Sequence, residues 1–246
     1  MKTIEELKNT VIKGDCLEVM KEIPDKSVDC IITSPPYNMR TRVRNGKYTT
    51  KEKSEHFSKK YSHFGDDLSI EEYESFHTKV LNECLRISSI VFWNIQIVTG
   101  SKEAVFKIIG KFAKNIVDIV VWDKGFGQPA MHSGVLNRGY ELIIILEPNR
   151  KAGRTFTKYK FKRGELQDIW RLGRGGKGKI KIHTAVFPET LVETVLKNFT
   201  SENEIILDPF AGSGTTGVAA KNLNRNYILI EKEQEYIDII NKRLSN

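Results

Sequence analysis

Along most of this 246-residue chain, short apolar runs rich in β-branched residues alternate with stretches whose apolar positions recur at helical spacing. The runs VDCIIT (Val28–Thr33), SIVFW (Ser89–Trp93), IVDIVVW (Ile116–Trp122), ELIIIL (Glu141–Leu146), EIILD (Glu204–Asp208) and NYILIE (Asn226–Glu231) predict strands buried on both faces. Ser69 with Glu72 forms a capping-box pattern, opening a helix to about Ile87 whose apolar face carries Tyr73, Phe76, Val80, Leu81 and Leu85. Further helices are predicted from Lys102 to Phe112, from Pro188 in a first turn to Phe199, from Thr215 to Leu223, and from Gln234 to Leu244, the last as an amphipathic surface helix. This alternation predicts a doubly wound, mostly parallel α/β sheet. Its ligands would bind beyond the carboxyl ends of the strands, so residues just after strands carry the most information.

Composition fits one large domain with a real core: 39% of residues are hydrophobic, and 39 Lys+Arg face 31 Asp+Glu, a net +8. Cys16, Cys30 and Cys84 have neither disulfide nor zinc spacing, and His132 and His183 lack metal-like partners, so reduced thiols and no metal are expected. Trp93 and Trp122, at strand ends, read as core or pocket wall. The charged N-terminal MKTIEELKNT has no apolar signal core, and no run of about 18 apolar residues occurs, which predicts a cytoplasmic chain that does not span a membrane.

The charge is concentrated. Residues 39–63 hold eight Lys/Arg against two Glu and residues 149–182 hold twelve against two acids; these 59 positions carry +16, leaving −8 on the other 187. Aromatic residues are interleaved in both segments: Tyr48, Phe57 and Tyr61 in the first, Phe156, Tyr159, Phe161 and Trp170 in the second. Cations for phosphates beside rings for bases make a nucleic-acid surface; solvated loops are the plainer alternative.

Two segments follow strands. In TSPPYN, Thr33 to Asn38, the paired prolines end a regular strand, while Ser34, rigid carbonyls and the flat Tyr37 ring suit a planar group bearing an exocyclic amine. The bland reading is a strand terminator with a packed tyrosine. In DPFAGSGTT, Asp208 to Thr216, Gly212 and Gly214 permit close backbone approach ahead of a helix N-terminus; it is neither a Walker loop nor a full G-x-G-x-x-G. Glu231 ends the next strand, 17 residues after Gly214, near the separation at which an acid binds ribose hydroxyls; structural packing is the lesser alternative.

TSPPYN and DPFAGSGTT, in that order, resemble the catalytic and cofactor motifs of the β-class amino-DNA methyltransferases. VIKGDCLEVM, VWDKGFGQPAMHSGVLNRGYELIIIL, HTAVFPETLVETVLKNFT and NYILIE extend the resemblance over most of the chain. It implies one Rossmann-like methyltransferase domain over 1–246 with permuted motif order, a basic loop at 39–63 near the catalytic site and a target-recognition insert at 149–182. It further implies S-adenosylmethionine as cofactor and double-stranded DNA as partner. A cognate restriction endonuclease and a homodimer stay open.

By this resemblance Ser34 and the Pro35 carbonyl, with Pro36 beside them, accept from the amine of a flipped base on which Tyr37 stacks. Direct in-line transfer then needs no nucleophilic cysteine, and the chain has no Pro-Cys pair of the kind used at cytosine carbon 5. The implied cofactor contacts are Asp208, Phe210, Gly212, Ser213, Gly214 and Thr215, with Glu231 on the ribose and Asp15 near the adenine amine; Asp15 also reads as a turn former. The implied DNA contacts are Arg40, Arg42 and Arg44 in the first basic segment. In the second they are Lys158, Lys160, Lys162, Arg163, Arg171 and Arg174, with the insert expected in the major groove. Ser at position 34 leans toward cytosine N4; adenine N6 is the alternative. An RNA amine methyltransferase and a non-catalytic DNA-binding protein are weaker rivals.

Overall fold

The computed structural model describes residues 3–38, 43–44, 47–48, 68–128, 133–172 and 187–245. The chain opens with a short helix α1 (Ile4–Leu7), strand β1 (Thr10–Lys13), helix α2 (Cys16–Lys21) and strand β2 (Cys30–Thr33). A small hairpin, β3 (Val43–Arg44) with β4 (Lys47–Tyr48), precedes helix α3 (Ile70–Ile87), strand β5 (Val91–Ile95) and helix α4 (Lys102–Lys111). Then come β6 (Ile116–Gln128), β7 (Arg138–Leu146), β8 (Ile169–Arg171), α5 (Glu189–Phe199), β9 (Ile205–Asp208), α6 (Thr215–Asn222), β10 (Asn226–Glu231) and α7 (Gln234–Leu244).

Among the described residues, eight strands form one sheet in the order β1-β10-β9-β2-β5-β7-β6-β8. Only β7 runs against its neighbours, pairing antiparallel with both β5 and β6. The sheet is therefore mostly parallel, as its unbroken apolar strands require: β2, β5 and β9 are buried at every position. One face packs on α2, α3 and α4 through residues such as Met20, Tyr73, Leu81, Ile108 and Trp93. The other packs on α5 and α6 through Phe92, Ile206, Val195, Leu196 and Phe199. Burying each such side chain contributes about 2 kcal/mol.

Each predicted strand and helix is present, β10 and α7 with the predicted bounds and most of the others with shifted ends. α3 has the full capping box, with Ser69 accepting from the Glu72 amide and Glu72 returning a bond to the Ser69 amide. Pro188 caps α5 rather than lying in its first turn, its ψ of 150° still extended. β6 and β7 run well past their apolar cores because they pair with each other beyond the end of β5, where Ile95 meets Leu142. Among the described residues, no helix is long and apolar enough to cross a membrane.

The topology sets the site. From β9 the chain crosses over α6 to β10 on one side, whereas from β2 it crosses over α3 to β5 on the other. β9 and β2 are parallel neighbours, so their carboxyl ends flank the switch point where such sheets bind ligands.

Candidate active site

Both sequence motifs emerge at that switch point and are bonded together. Thr33 Oγ1, at the end of β2, donates to Asp208 Oδ1 at 2.9 Å, at the end of β9. Asp208 also accepts from the Phe210 amide at 3.1 Å and from Thr216 Oγ1 at 2.7 Å. It is 1% exposed, and burial pushes its carboxyl up to about 6 despite those bonds. Asp208 thus ties the catalytic strand, the glycine loop and α6 into one unit.

Between β9 and α6 the chain turns with Gly212 at φ 52° and Gly214 at φ 79°, the second serving as N-cap. A Cβ on Gly214 would lie 2.9 Å from Ile240 Cγ1 of α7, so this glycine answers both to its backbone angle and to a close approach. Arg243 of α7 donates to the Ser213 carbonyl at 2.6 Å, approaches the Ser213 and Thr215 hydroxyls at 3.3 and 3.4 Å, and pairs with Glu189 at 2.6 Å. The last helix is therefore a brace for the loop, a role its amphipathic pattern did not disclose.

Glu231 Oε2 accepts from the Gly212 amide at 2.8 Å, and Oε1 accepts from the Lys232 and Glu233 amides at 2.8 and 3.0 Å. Partial burial raises its carboxyl above the ordinary range. With the Gly212 amide donating to it, Oε2 retains acceptor capacity suited to a sugar hydroxyl, as a nucleoside cofactor needs. Asp15 caps α2 through a bond from the Leu17 amide at 3.0 Å. It stands beside Glu231 across the β1–β10 pair, where the Gly14 amide donates to the Glu231 carbonyl at 3.0 Å. Phe210 meets Phe76 edge to face at 6.1 Å. The glycine cradle, the helix N-terminus and the carboxylate at the next strand end fit an S-adenosyl group.

At the catalytic motif, Ser34 Oγ and Tyr37 Oη lie 2.7 Å apart. Tyr37 Oη donates to Glu141 Oε2 at 2.8 Å, and Asn94 Nδ2 reaches Tyr37 Oη at 2.9 Å, Glu141 Oε2 at 2.6 Å and Ser34 Oγ at 3.3 Å. Lys124 pairs with the other Glu141 oxygen. The Pro36 carbonyl accepts from Tyr73 Oη at 2.9 Å, which anchors the motif to α3 and turns that carbonyl inward. Beneath it His77 is fully buried, and burial drops its ring to about 3, so it stays neutral. Asn38 closes the motif at φ 54° and donates to the Leu68 carbonyl at 2.9 Å, bringing the two flanks of segment 39–67 together at the site.

Asn94, Lys124 and Glu141 escaped the sequence reading. The available signal was a polar residue at the catalytic end of an apolar run, visible in VFWNI and GYELIIIL. The three cysteines are buried and free. Burial pushes Cys16 up to about 12 and raises Cys30 and Cys84 as well, so none is a poised nucleophile.

The basic insert departs from expectation. Its rings face the core: Phe156 and Phe161 meet Phe199 at 5.0 and 5.5 Å, and Trp170 is 4% exposed with Nε1 donating to the Gln167 carbonyl at 2.8 Å. Of the interleaved rings expected to cover bases, only Tyr159 among these four is largely exposed. The chain burying them covers the open face of β6 and β7. Lys158 pairs with Glu204 and, at 3.9 Å, with Asp29, residues that immediately precede β9 and β2. The Lys160 amide donates to Asn198 near the end of α5. Lys158 and Lys160 thus sit at the end of the sheet opposite Ser34, because the insert descends there before returning as β8. Lys162 and Arg163 lie on that return. A cavity of about 590 Å³ walled by Arg163, Phe161 and Asp118 also lies away from both motifs. β8 then runs parallel to β6 and carries Arg171, 3.7 Å from Asp123, toward the catalytic end. Arg40, Arg42, Arg174, Phe57, Tyr61, His132 and His183, and the side chains of Arg44 and Tyr48, lie outside the described residues.

The DNA methylase family defined by N6/N4 amino-methyltransferases matches residues 28–242. The chain is 34% identical over 258 aligned residues to the type II methyltransferase M.HinfI of Haemophilus influenzae, covering 98% of this chain and 69% of that one. In fold it is similar to the cytosine-N4-specific PvuII DNA methyltransferase, with TM-score 0.74, 16% identity and coverage of 96% and 86%. It is also similar to M1.HpyAVI in complex with SAM, with TM-score 0.58, 22% identity and coverage of 95% and 98%. The chain belongs to the amino-DNA methyltransferase family, in its β-class motif order. It is a DNA methyltransferase, and S-adenosylmethionine is its methyl donor.

Proposed function

We propose that this enzyme methylates the N4 amine of a cytosine extruded from a specific site in duplex DNA, in the cytoplasm. The observation that carries the reading is Ser34: a neutral hydroxyl, fixed 2.7 Å from Tyr37 Oη, at the strand end bonded through Thr33 to the glycine-loop Asp208. Ser34 and the Pro35 carbonyl accept from the amine and steer the nitrogen lone pair, and Tyr37 covers the base. S-adenosylmethionine, held by the 208–215 loop and Glu231, supplies a methyl group made electrophilic by its sulfonium. Orientation and preset acceptors then account for most of the acceleration.

An extruded base is required because an amine within the duplex stack cannot reach a donor at the bottom of this crevice. The flanks of both basic segments support DNA approaching this end: Asn38 and Leu68 are bonded there, and β8 leads there before residue 173. Arg171, 71% exposed at its side chain, is a better DNA contact than Lys158. Base-resolved sequencing of DNA methylated by the purified enzyme tests the reading. Modified cytosines confined to one short sequence are expected; modified adenines would overturn the base assignment, and scattered products would overturn site specificity.

A further inference from the structure

Glu141 lies on the antiparallel strand β7 just before the stretch paired with β5 begins at Leu142, so it stands at the catalytic end of the sheet on a strand that no motif marks. Its side chain is only 8% exposed, and that of its partner Lys124 only 14%. Lys124 pairs with one of its oxygens, and a carboxylate held in such a pair is an acceptor only. Both of its other neighbours donate to it, Tyr37 at 2.8 Å and Asn94 at 2.6 Å.

These directions determine the next bond. A phenol has one proton, and Tyr37 gives it to Glu141. The 2.7 Å contact between Ser34 and Tyr37 must then run from the Ser34 hydroxyl to the Tyr37 oxygen. With its own proton committed, Ser34 Oγ faces the crevice as an acceptor. An exocyclic amine is a donor and needs that state. With the charge removed, the Tyr37 proton is free to turn toward Ser34, whose hydroxyl would then point a proton at the amine.

We propose that Glu141, clamped by Lys124, is a positioning residue that acts through Tyr37 to hold Ser34 in its acceptor state. The inference rests on reading Ser34 as the acceptor for the target amine. Asn94 supports the same order: its amide donates toward Tyr37, Ser34 and Glu141, and its carbonyl oxygen is buried without a hydrogen bond. That amide orientation leaves an acceptor unsatisfied, as the negative carboxylate beside it demands.

The test is a double-mutant cycle on steady-state methylation of DNA by the full chain, with Ser34→Ala as reference. Glu141→Gln, nearly isosteric, is expected to lower kcat by about 100-fold, as loss of a preset acceptor does, with KM for DNA and equilibrium S-adenosylmethionine binding changed less than about threefold. Tyr37→Phe cuts the same chain, so Glu141→Gln added to it is expected to cost less than about threefold more. Losses that multiply in full would overturn the proposal, because Glu141 would then act independently of Tyr37. Lys124→Met combined with Glu141→Gln removes both buried charges and guards against misfolding; it is expected to stay as slow as Glu141→Gln, and recovery of the parent kcat would overturn the proposal. Full activity in Ser34→Ala would instead defeat the underlying reading, whereas full activity in Glu141→Gln beside an impaired Ser34→Ala defeats this inference alone.

Discussion

Asp208 holds three donors from three parts of the chain, yet burial still leaves its carboxyl at about 6, above its ordinary 3.8. The folded state therefore binds that proton more tightly than the unfolded state. The Asp208 contribution to stability falls as pH rises from about 4 to about 6 and is level above that. Asp208→Asn removes this decline, so the difference in melting temperature between variant and parent should shift in the variant's favour across that window and then stay constant. A difference independent of pH would contradict the assigned cause. Arg243 acts on the same loop from behind: Arg243→Ala, measured by calorimetric titration, should weaken S-adenosylmethionine binding about tenfold, near the worth of one charged hydrogen bond. Ser34, Tyr37, Gly212 and Gly214 were legible as candidates because each motif is contiguous, and Glu231 because it ends the next strand at a recognisable distance. Asn94, Lys124 and Glu141 come from three strands and meet only when the sheet forms, so each shows locally as no more than a polar residue at the end of an apolar run, and their meeting does not show at all.

The elements were legible wherever burial on both faces makes a run apolar, as in β2, β5, β9 and β10. The ends of β6 and β7 were not, because beyond Trp122 and Glu141 the two strands pair with each other through mostly polar and glycine residues, which carry no apolar run. The rings of the insert were misread for a related reason. Phe156, Phe161 and Trp170 between lysines and arginines match a nucleic-acid surface in composition, but their burial is decided by an exposed sheet face that composition does not show. α7 gives an element-scale prediction. Gly214→Ala places a side chain at φ 79° and 2.9 Å from Ile240, so it should destabilise the fold by about 1–3 kcal/mol in denaturant titration. Adding Ile240→Ala relieves the contact and leaves the backbone strain. If the double variant shows no relief, the loop does not rest on α7 as described.

Across the whole molecule, the segregation of charge has a partner within the protein as well as outside it. Arg154 binds Asp118 and Lys158 binds Glu204, so part of the insert's positive charge holds it on the acidic body. The remainder is set by topology, which returns the chain toward the catalytic end at Arg171. Arg171→Ala should accordingly reduce the slope of log affinity for DNA against log salt by about one, while Lys158→Ala leaves it unchanged. Equal slopes for Arg171→Ala and the parent would move the DNA elsewhere. Most direct for the central claim is incubation of the enzyme with duplex DNA and a donor carrying an isotopically heavy methyl group, followed by mass spectrometry of the released nucleosides. The heavy methyl is expected in N4-methyldeoxycytidine; its appearance in N6-methyldeoxyadenosine would contradict the role given to Ser34, and its absence from every nucleoside would contradict amine methylation itself.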